Sequence, residues 1–184
     1  MGKNVFFENL KRLIDQKIFV SIFTDIYRES FIGYIIRISE DLLLLYSYEI
    51  GKPNGIKIFR LDDITRIRWG TKELDEIESL ISLPPNLEAI NKITMDNKAV
   101  AIKQVQNIFG YVTIHIQSID KSICFIGEIV EMDDETIIIN EFGTIDSQGR
   151  AFLLIALQDI TRIDSGGIYE EQLLQLYQRR RKSD

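Results

Sequence analysis

The chain has 184 residues, 45% of them hydrophobic and 10% aromatic, with a formal net charge of −6. That length bounds the fold to one or two domains, and the apolar content predicts a globular core of ordinary size. The longest apolar runs, such as Leu42–Tyr46, are far too short to span a bilayer; the single cysteine, Cys124, excludes an intrachain disulfide framework; and no apolar leader follows Met1, so the cytoplasm is the expected compartment.

Taken in chain order, Phe6, Leu10, Leu13 and Ile14 recur at helical spacing and predict a short amphipathic helix over 4–16. Ile18, Val20 and Ile22 alternate with Phe19, Ser21 and Phe23 and start a strand. Phe31–Ile38 and Leu42–Tyr48 read as strands joined by the polar turn Ser39-Glu40-Asp41, and Gly51-Lys52-Pro53-Asn54-Gly55 as a turn before a fourth strand, Ile56–Leu61. Asp62–Arg66 reads as a tight helical turn into a fifth strand, Ile67–Trp69. Thr71 can cap a helix over 72–82, with Glu73 near its positive end, and Pro84-Pro85 ends it. The same order then recurs: a helix over 98–107, strands near 111–118, 123–131, 136–142 and 151–157, a second helical turn and strand, and a final helix over 169–182.

The recurrence is legible residue by residue. FIGYIIRISEDLLLL at 31–45 returns as FIGEIVEMDDETIII at 125–139, and Asp63-Ile64-Thr65-Arg66-Ile67 as Asp159-Ile160-Thr161-Arg162-Ile163. Val20 matches Val112, Gly33 matches Gly127 and Asp63 matches Asp159, separations of 92, 94 and 96. Each insertion is two residues long, and two residues in a hairpin leave every later side chain on its own face of the sheet. One unit over 1–83, a linker over 84–94 and a second unit over 95–184 follow. The buried sets are expected to be Ile35, Leu45, Ile64 and Ile67 in the first unit and Ile129, Ile139, Ile160 and Ile163 in the second.

A helix followed by five short bent strands, with a glycine inside strand 2 and a short turn between strands 4 and 5, resembles the Sm-like (LSm) family of SH3-like small barrels. The resemblance rests on Phe31-Ile32-Gly33-Tyr34-Ile35 with Ile38, and on Phe125-Ile126-Gly127-Glu128-Ile129 with Met132. PRC-barrel and Tudor-like domains share much of this pattern. The resemblance implies a mostly β fold with flanking α-helices: two tandem five-stranded barrels, each preceded by a short helix. It also implies assembly by pairing strand 4 of one barrel with strand 5 of the next. The family's uridine-binding residues mostly do not carry over, although Asp133 holds the expected acid six residues after Gly127. Leu43 and Ile137 stand where an Asn is expected, Ser39 replaces one of the two expected acids, and no Arg-Gly or Lys-Gly pair occurs in Arg60–Asp63 or Ala156–Asp159.

Charge is uneven: residues 18–70 hold seven Lys/Arg and seven Asp/Glu, whereas 108–168 hold three and ten. The second unit therefore repels phosphate. Arg60, Arg66, Arg68 and Trp69 form the basic-aromatic group of the first unit; Trp beside Arg suits a partner hot spot or base stacking, and equally a Trp packed on the next helix beside solvated arginines. Tyr34 and Tyr46 are expected opposite each other with Tyr48 on the same face, either as an aromatic binding surface or as a covered outer face, since Ile32, Ile36 and Leu44 share it. His115 and Cys124 are expected as diagonal neighbours across an Asp120-Lys121 turn, too far apart for a dyad. The acidic tip Glu131, Asp133, Asp134 and Glu135 reads as a solvated turn, and Arg179–Lys182 as cations complementing a helix terminus.

No nucleophile–base set, phosphate loop or metal cluster stands out, so the expectation is a non-catalytic interaction or scaffold module without cofactors. It would self-associate or bind a protein partner, away from membranes. The alternative is an RNA-binding protein acting through the first unit and the basic C-terminal tail.

Overall fold

A computed structural model describes residues 3–24, 30–82, 87–116, 124–142 and 151–181. Residues 25–29, Pro84-Pro85, the Asp120-Lys121 turn and Lys182 lie outside the described residues. The first repeat runs α1 (Lys3–Asp15), β1 (Phe19–Thr24), β2 (Ser30–Ile38), β3 (Leu42–Glu49), β4 (Lys52–Arg60), a 3-10 turn over Leu61–Asp63, β5 (Ile64–Trp69) and α2 (Lys72–Ser79). The second runs α3 (Lys98–Phe109), β6 (Val112–His115), β7 (Cys124–Met132), β8 (Thr136–Glu141), β9 (Phe152–Ala156), a 3-10 turn over Leu157–Asp159, β10 (Arg162–Ser165) and α4 (Ile168–Arg181).

Local chemistry sets the helix ends. Thr71 caps α2 by accepting from the Leu74 N–H at 3.3 Å, and Asn97 caps α3 by accepting from the Val100 N–H at 3.0 Å. Lys17, at φ 50°, closes α1 with a 2.9 Å bond from the Ile18 N–H to the Leu13 carbonyl.

Among the described residues all ten strands are antiparallel and form one open sheet in the order β5-β1-β2-β3-β4-β10-β6-β7-β8-β9. The expectation of a mostly β fold with flanking helices is met; of the two tandem five-stranded barrels, the described strands show one open sheet, in which β4 of the first repeat hydrogen-bonds to β10 of the second. Within that sheet the two repeats are register-identical. Val20 faces Gly33 as Val112 faces Gly127; Ile35 faces Leu45 as Ile129 faces Ile139; Leu43 faces Phe59 as Ile137 faces Ile155. The β2–β3 bulge at Ile35/Arg37 also has its match in the β7–β8 bulge at Ile129/Glu131. Gly33 and Gly127 take the same place, and for one reason: an added Cβ would lie 2.0 Å from the Tyr46 carbonyl oxygen or 2.3 Å from that of Asn140.

Three apolar clusters of described residues hold the molecule. Leu10 and Leu13 of α1 pack with Val20, Ile22, Ile35, Leu43, Leu45, Phe59 and Leu61, so the first five strands curl around one interior. The opposite face of β3 and β4, with Leu44, Tyr46, Ile56 and Ile58, belongs to a second cluster. Ile93, Ile102 and Val105 join it to Ile114, Ile137, Ile139 and Ile163 of the second repeat. The outer face of repeat 1 is thereby continuous with the interior of repeat 2. A third cluster seats Leu173 and Tyr177 of α4 on Tyr111, Ile126 and Phe142.

Five of the eight expected core residues, Ile35, Leu45, Ile139, Ile160 and Ile163, are buried. Ile64, Ile67 and Ile129 are only half-buried. For Ile64 and Ile67 the reason is position: β5 is the end strand of the sheet, with no neighbour on one side among the described residues. β5 also starts at Ile64, three residues before the expected strand, because the 3-10 turn ends at Asp63. Among the described residues no helix is long and apolar enough to cross a membrane.

Candidate functional site

The six expected site residues fall in three different environments. Tyr34 and Tyr46 are register partners on β2 and β3, but their face is covered. Tyr46 is buried, and Tyr34 meets Phe19 and Tyr48 edge-on, with ring centroids 5.1 and 5.9 Å apart. The Tyr34 hydroxyl donates to Glu78 of α2 at 2.6 Å. Burial and that carboxylate push the Tyr34 phenol up, and burial beside Tyr46 pushes Tyr48 up to about 12. This is a packed aromatic layer under α2. A groove of about 620 Å³ beside it is lined by Ile14, Lys17, Tyr34, Ile36, Glu78 and Ile81, among others.

Arg60 stands at the junction between the repeats. Its guanidinium reaches the Gln158 carbonyl at 3.3 Å and Asp63 at 3.3 Å, and its backbone N–H donates to the Thr161 carbonyl. Arg66, Arg68 and Trp69 lie on β5, the end strand of the sheet among the described residues, and all three are exposed. Arg66 and Arg68 sit over the Phe23 ring at 4.0 and 5.5 Å, and Arg68 also pairs with Glu73 at 2.9 Å. Trp69 is 39% exposed, with Arg12 of α1 6.0 Å from its ring centre.

The β4–β10 junction carries a charged cluster that nothing in the sequence pattern singles out. Lys57, His115, Arg162 and Asp164 are all buried. The Asp164 carboxylate takes Lys57 Nζ at 3.0 Å, His115 Nε2 at 3.1 Å and Arg162 Nε at 2.9 Å. The Arg162 guanidinium also lies 4.5 Å over Phe31. Burial alone would raise Asp164, but Arg162, Lys57 and His115 together hold it well below the usual carboxylate range. Burial lowers His115, against the pull of Asp164, so the ring is neutral. Its Nε2 lies 3.1 Å from the Asp164 carboxylate, and Arg162 Nη2 lies 3.1 Å from Nε2 and 3.3 Å from Nδ1. A paired, hydrogen-bonded cluster is the form in which buried charge is tolerated. His115 faces Cys124 directly rather than diagonally, but its ring is committed to Asp164 and Arg162. Desolvation, then the Asp164 charge, pushes the Cys124 thiol up, away from the reactive thiolate. At the acidic tip, Asp133 accepts from the N–H groups of Glu135 and Thr136 at 2.8 and 2.7 Å and closes the β7–β8 turn.

The two end strands stand out when each is compared with its counterpart. β9 is the counterpart of β4, and β5 of β10. Ile56 and Ile58 of β4 are each 1% exposed; their counterparts Phe152 and Leu154 on β9 are each 70% exposed. Ser165 of β10 is 1% exposed, and its counterpart Trp69 39%. A signal was present in the sequence, since FLLIA at 152–156 reads as an apolar strand with no alternation. A scan of protein-family models, a search of curated proteins and a search of solved structures each returned no match.

Proposed function

We propose that this chain is a non-catalytic, self-associating scaffold module built of two Sm-like small barrels, in which the β9 edge of one copy pairs with the β5 edge of the next. One observation carries the reading. Among the described residues the chain contains one strand-4 to strand-5 junction, β4–β10, in which apolar residues are 1% exposed, and its sheet ends in two strands, β9 and β5, that correspond to the halves of such a junction and pair on one side only, where apolar residues are 70% and 39% exposed. An unpaired strand with an apolar row is a template for pairing with another chain. The strand order within each repeat, the helix before it and the 3-10 turn between its fourth and fifth strands all support the small-barrel reading.

Burying a Phe or Leu side chain fully contributes about 1.5–3 kcal/mol. Phe152 and Leu154, largely exposed in the single chain, supply a large part of that on docking, beside the ladder bonds themselves. A β9-to-β5 contact joins unlike surfaces, so it propagates head to tail and closes into a ring where the rotation permits.

Sedimentation velocity over a range of concentrations tests this. The native chain is expected to exceed the monomer mass, and Phe152→Asp with Leu154→Asp to return it to monomer without loss of folded structure. A native chain that is monomeric at every concentration refutes the reading. A salt-dependent complex with poly-U that is lost on replacing Arg66 and Arg68 would assign the β5 edge to nucleic acid instead.

A further inference from the structure

We infer that the residues at positions 57, 68, 153 and 164 act as a matching code, which reserves β4 and β10 for each other and directs a second copy of the chain to β9 and β5 in the register Ile155–Arg66, Leu154–Ile67, Leu153–Arg68 and Phe152–Trp69. This deepens the self-association proposed above and rests on it. The register is copied from the internal junction, where Phe59 faces Arg162, Ile58 faces Ile163, Lys57 faces Asp164 and Ile56 faces Ser165. Every ladder inside the two repeats matches, so each strand-4 and strand-5 residue has a defined counterpart.

The four possible pairings of a strand-4 edge with a strand-5 edge are not equivalent. In β4–β10, Lys57 meets Asp164, and the two lie 3.0 Å apart. In β9–β5, Leu153 meets Arg68, whose guanidinium already has Glu73 and the Phe23 ring as partners. In β4–β5, Lys57 would meet Arg68, two cations at directly opposed positions. In β9–β10, Leu153 would replace Lys57 beside Asp164 and strip a buried carboxylate of one cation. The two mixed pairings are thus penalised by like-charge contact or by lost compensation, which is how interfaces reject wrong partners.

The rest of the cluster follows the same division. His115, which lies 3.1 Å from the Asp164 carboxylate, has Phe23 as counterpart, and Phe23 takes the cations of Arg66 and Arg68 on its ring face. Arg162, over Phe31, has Arg66 as counterpart, and Phe125 occupies the place of Phe31 for it to meet. The copied register stops at Phe152–Trp69. Gly55, where an added Cβ would lie 2.1 Å from the Ser165 carbonyl oxygen, has Ala151 as its counterpart, so the second junction is four pairs long.

The test uses the full chain and two substitutions on the end strands, Leu153→Lys and Arg68→Asp, with mass and affinity measured by sedimentation. Leu153→Lys alone sets a lysine against Arg68 of the next copy, and Arg68→Asp alone sets a carboxylate against Leu153. Each should weaken self-association by about tenfold or more. An equimolar mixture should restore the native mass as an alternating assembly: one junction then joins the new lysine to the new aspartate and the other is the native Leu153–Arg68 pair. If the native chain associates but the single variants do so undiminished, or the mixture stays at the mass of its parts, the register and the code are overturned while self-association stands. A native chain that is monomeric overturns both.

Discussion

Replacing Asp164 by Asn keeps the shape of the side chain and removes the carboxylate that Lys57, Arg162 and His115 share. Side-chain exposure at this centre is 10% for Lys57, 8% for Arg162 and 5% for Asp164, so water does not take over the screening. Removing one partner of a buried ion pair costs about 3–5 kcal/mol, because the remaining charge stays buried without compensation. Lys57 and Arg162 both lose this partner, which sets the expectation within that range. Against a total stability of roughly 5–15 kcal/mol this is a large share, and at about 2–4 °C per kcal/mol for a chain of this size it lowers Tm by roughly 6–20 °C. Denaturant unfolding should show a lower midpoint at unchanged slope. Glu73→Gln is the control: it removes the acid from the exposed Arg68–Glu73 pair, whose side chains are 43% and 64% exposed, and should cost less than about 1 kcal/mol. A loss below about 1 kcal/mol for Asp164→Asn would mean that Lys57 and Arg162 reach solvent in the fold, and the account of the junction would be wrong.

Two further outcomes are expected. Gly127→Ala should lower stability by about 1–3 kcal/mol or more, since its Cβ would sit 2.3 Å from the Asn140 carbonyl oxygen and the β7–β8 pair would have to part; unchanged thermal unfolding would contradict that geometry. Stability should also fall as pH drops below about 6.5, where the unfolded chain protonates its histidine while the buried ring of His115 stays neutral and the unfolded state binds the extra proton. A second loss should begin below about 4, where the unfolded carboxyl takes a proton and Asp164, held well below its usual range, does not. His115 is the sole histidine, so a flat profile between about pH 7 and 5 would mean that its ring takes up a proton as readily in the fold as in the unfolded chain, and a rise in stability that the fold favours the charged ring.

Phe31–Ile38, its copy at Cys124–Met132, and the strands that follow each were legible because period-two alternation and a two-residue insertion rule are properties of one strand and its own hairpin. For the same reason hairpin periodicity is enough to set Tyr34 opposite Tyr46 and to align Gly33 with Gly127. Which face each tyrosine shows to what was not legible. That Glu78 and α2 cover Tyr34 depends on how the chain turns after Trp69, many residues away.

Asp164 and Lys57 are the clearest case. In sequence, Asp164 marks a place where repeat 2 lacks the arginine of repeat 1. In the fold it is the centre of the junction, because a residue 107 positions earlier is brought to 3.0 Å from it. A charge on a strand reads as solvent-facing unless its neighbour strand is known, and that neighbour belongs to the other repeat. The exposed apolar row of β9 was equally ambiguous: FLLIA suits a strand buried on both faces, as β4 is, and only strand order shows that β9 ends the sheet. The sequence by itself determined two copies of one β-rich unit, the Tyr34–Tyr46 register and the matched glycines, through interactions local to each hairpin; the His115–Cys124 register it set two residues off. Tertiary structure alone decided that β4 joins β10 and that β5 and β9 end the sheet among the described residues, since edge-to-edge pairing depends on long-range closure and burial, which no period along the chain records.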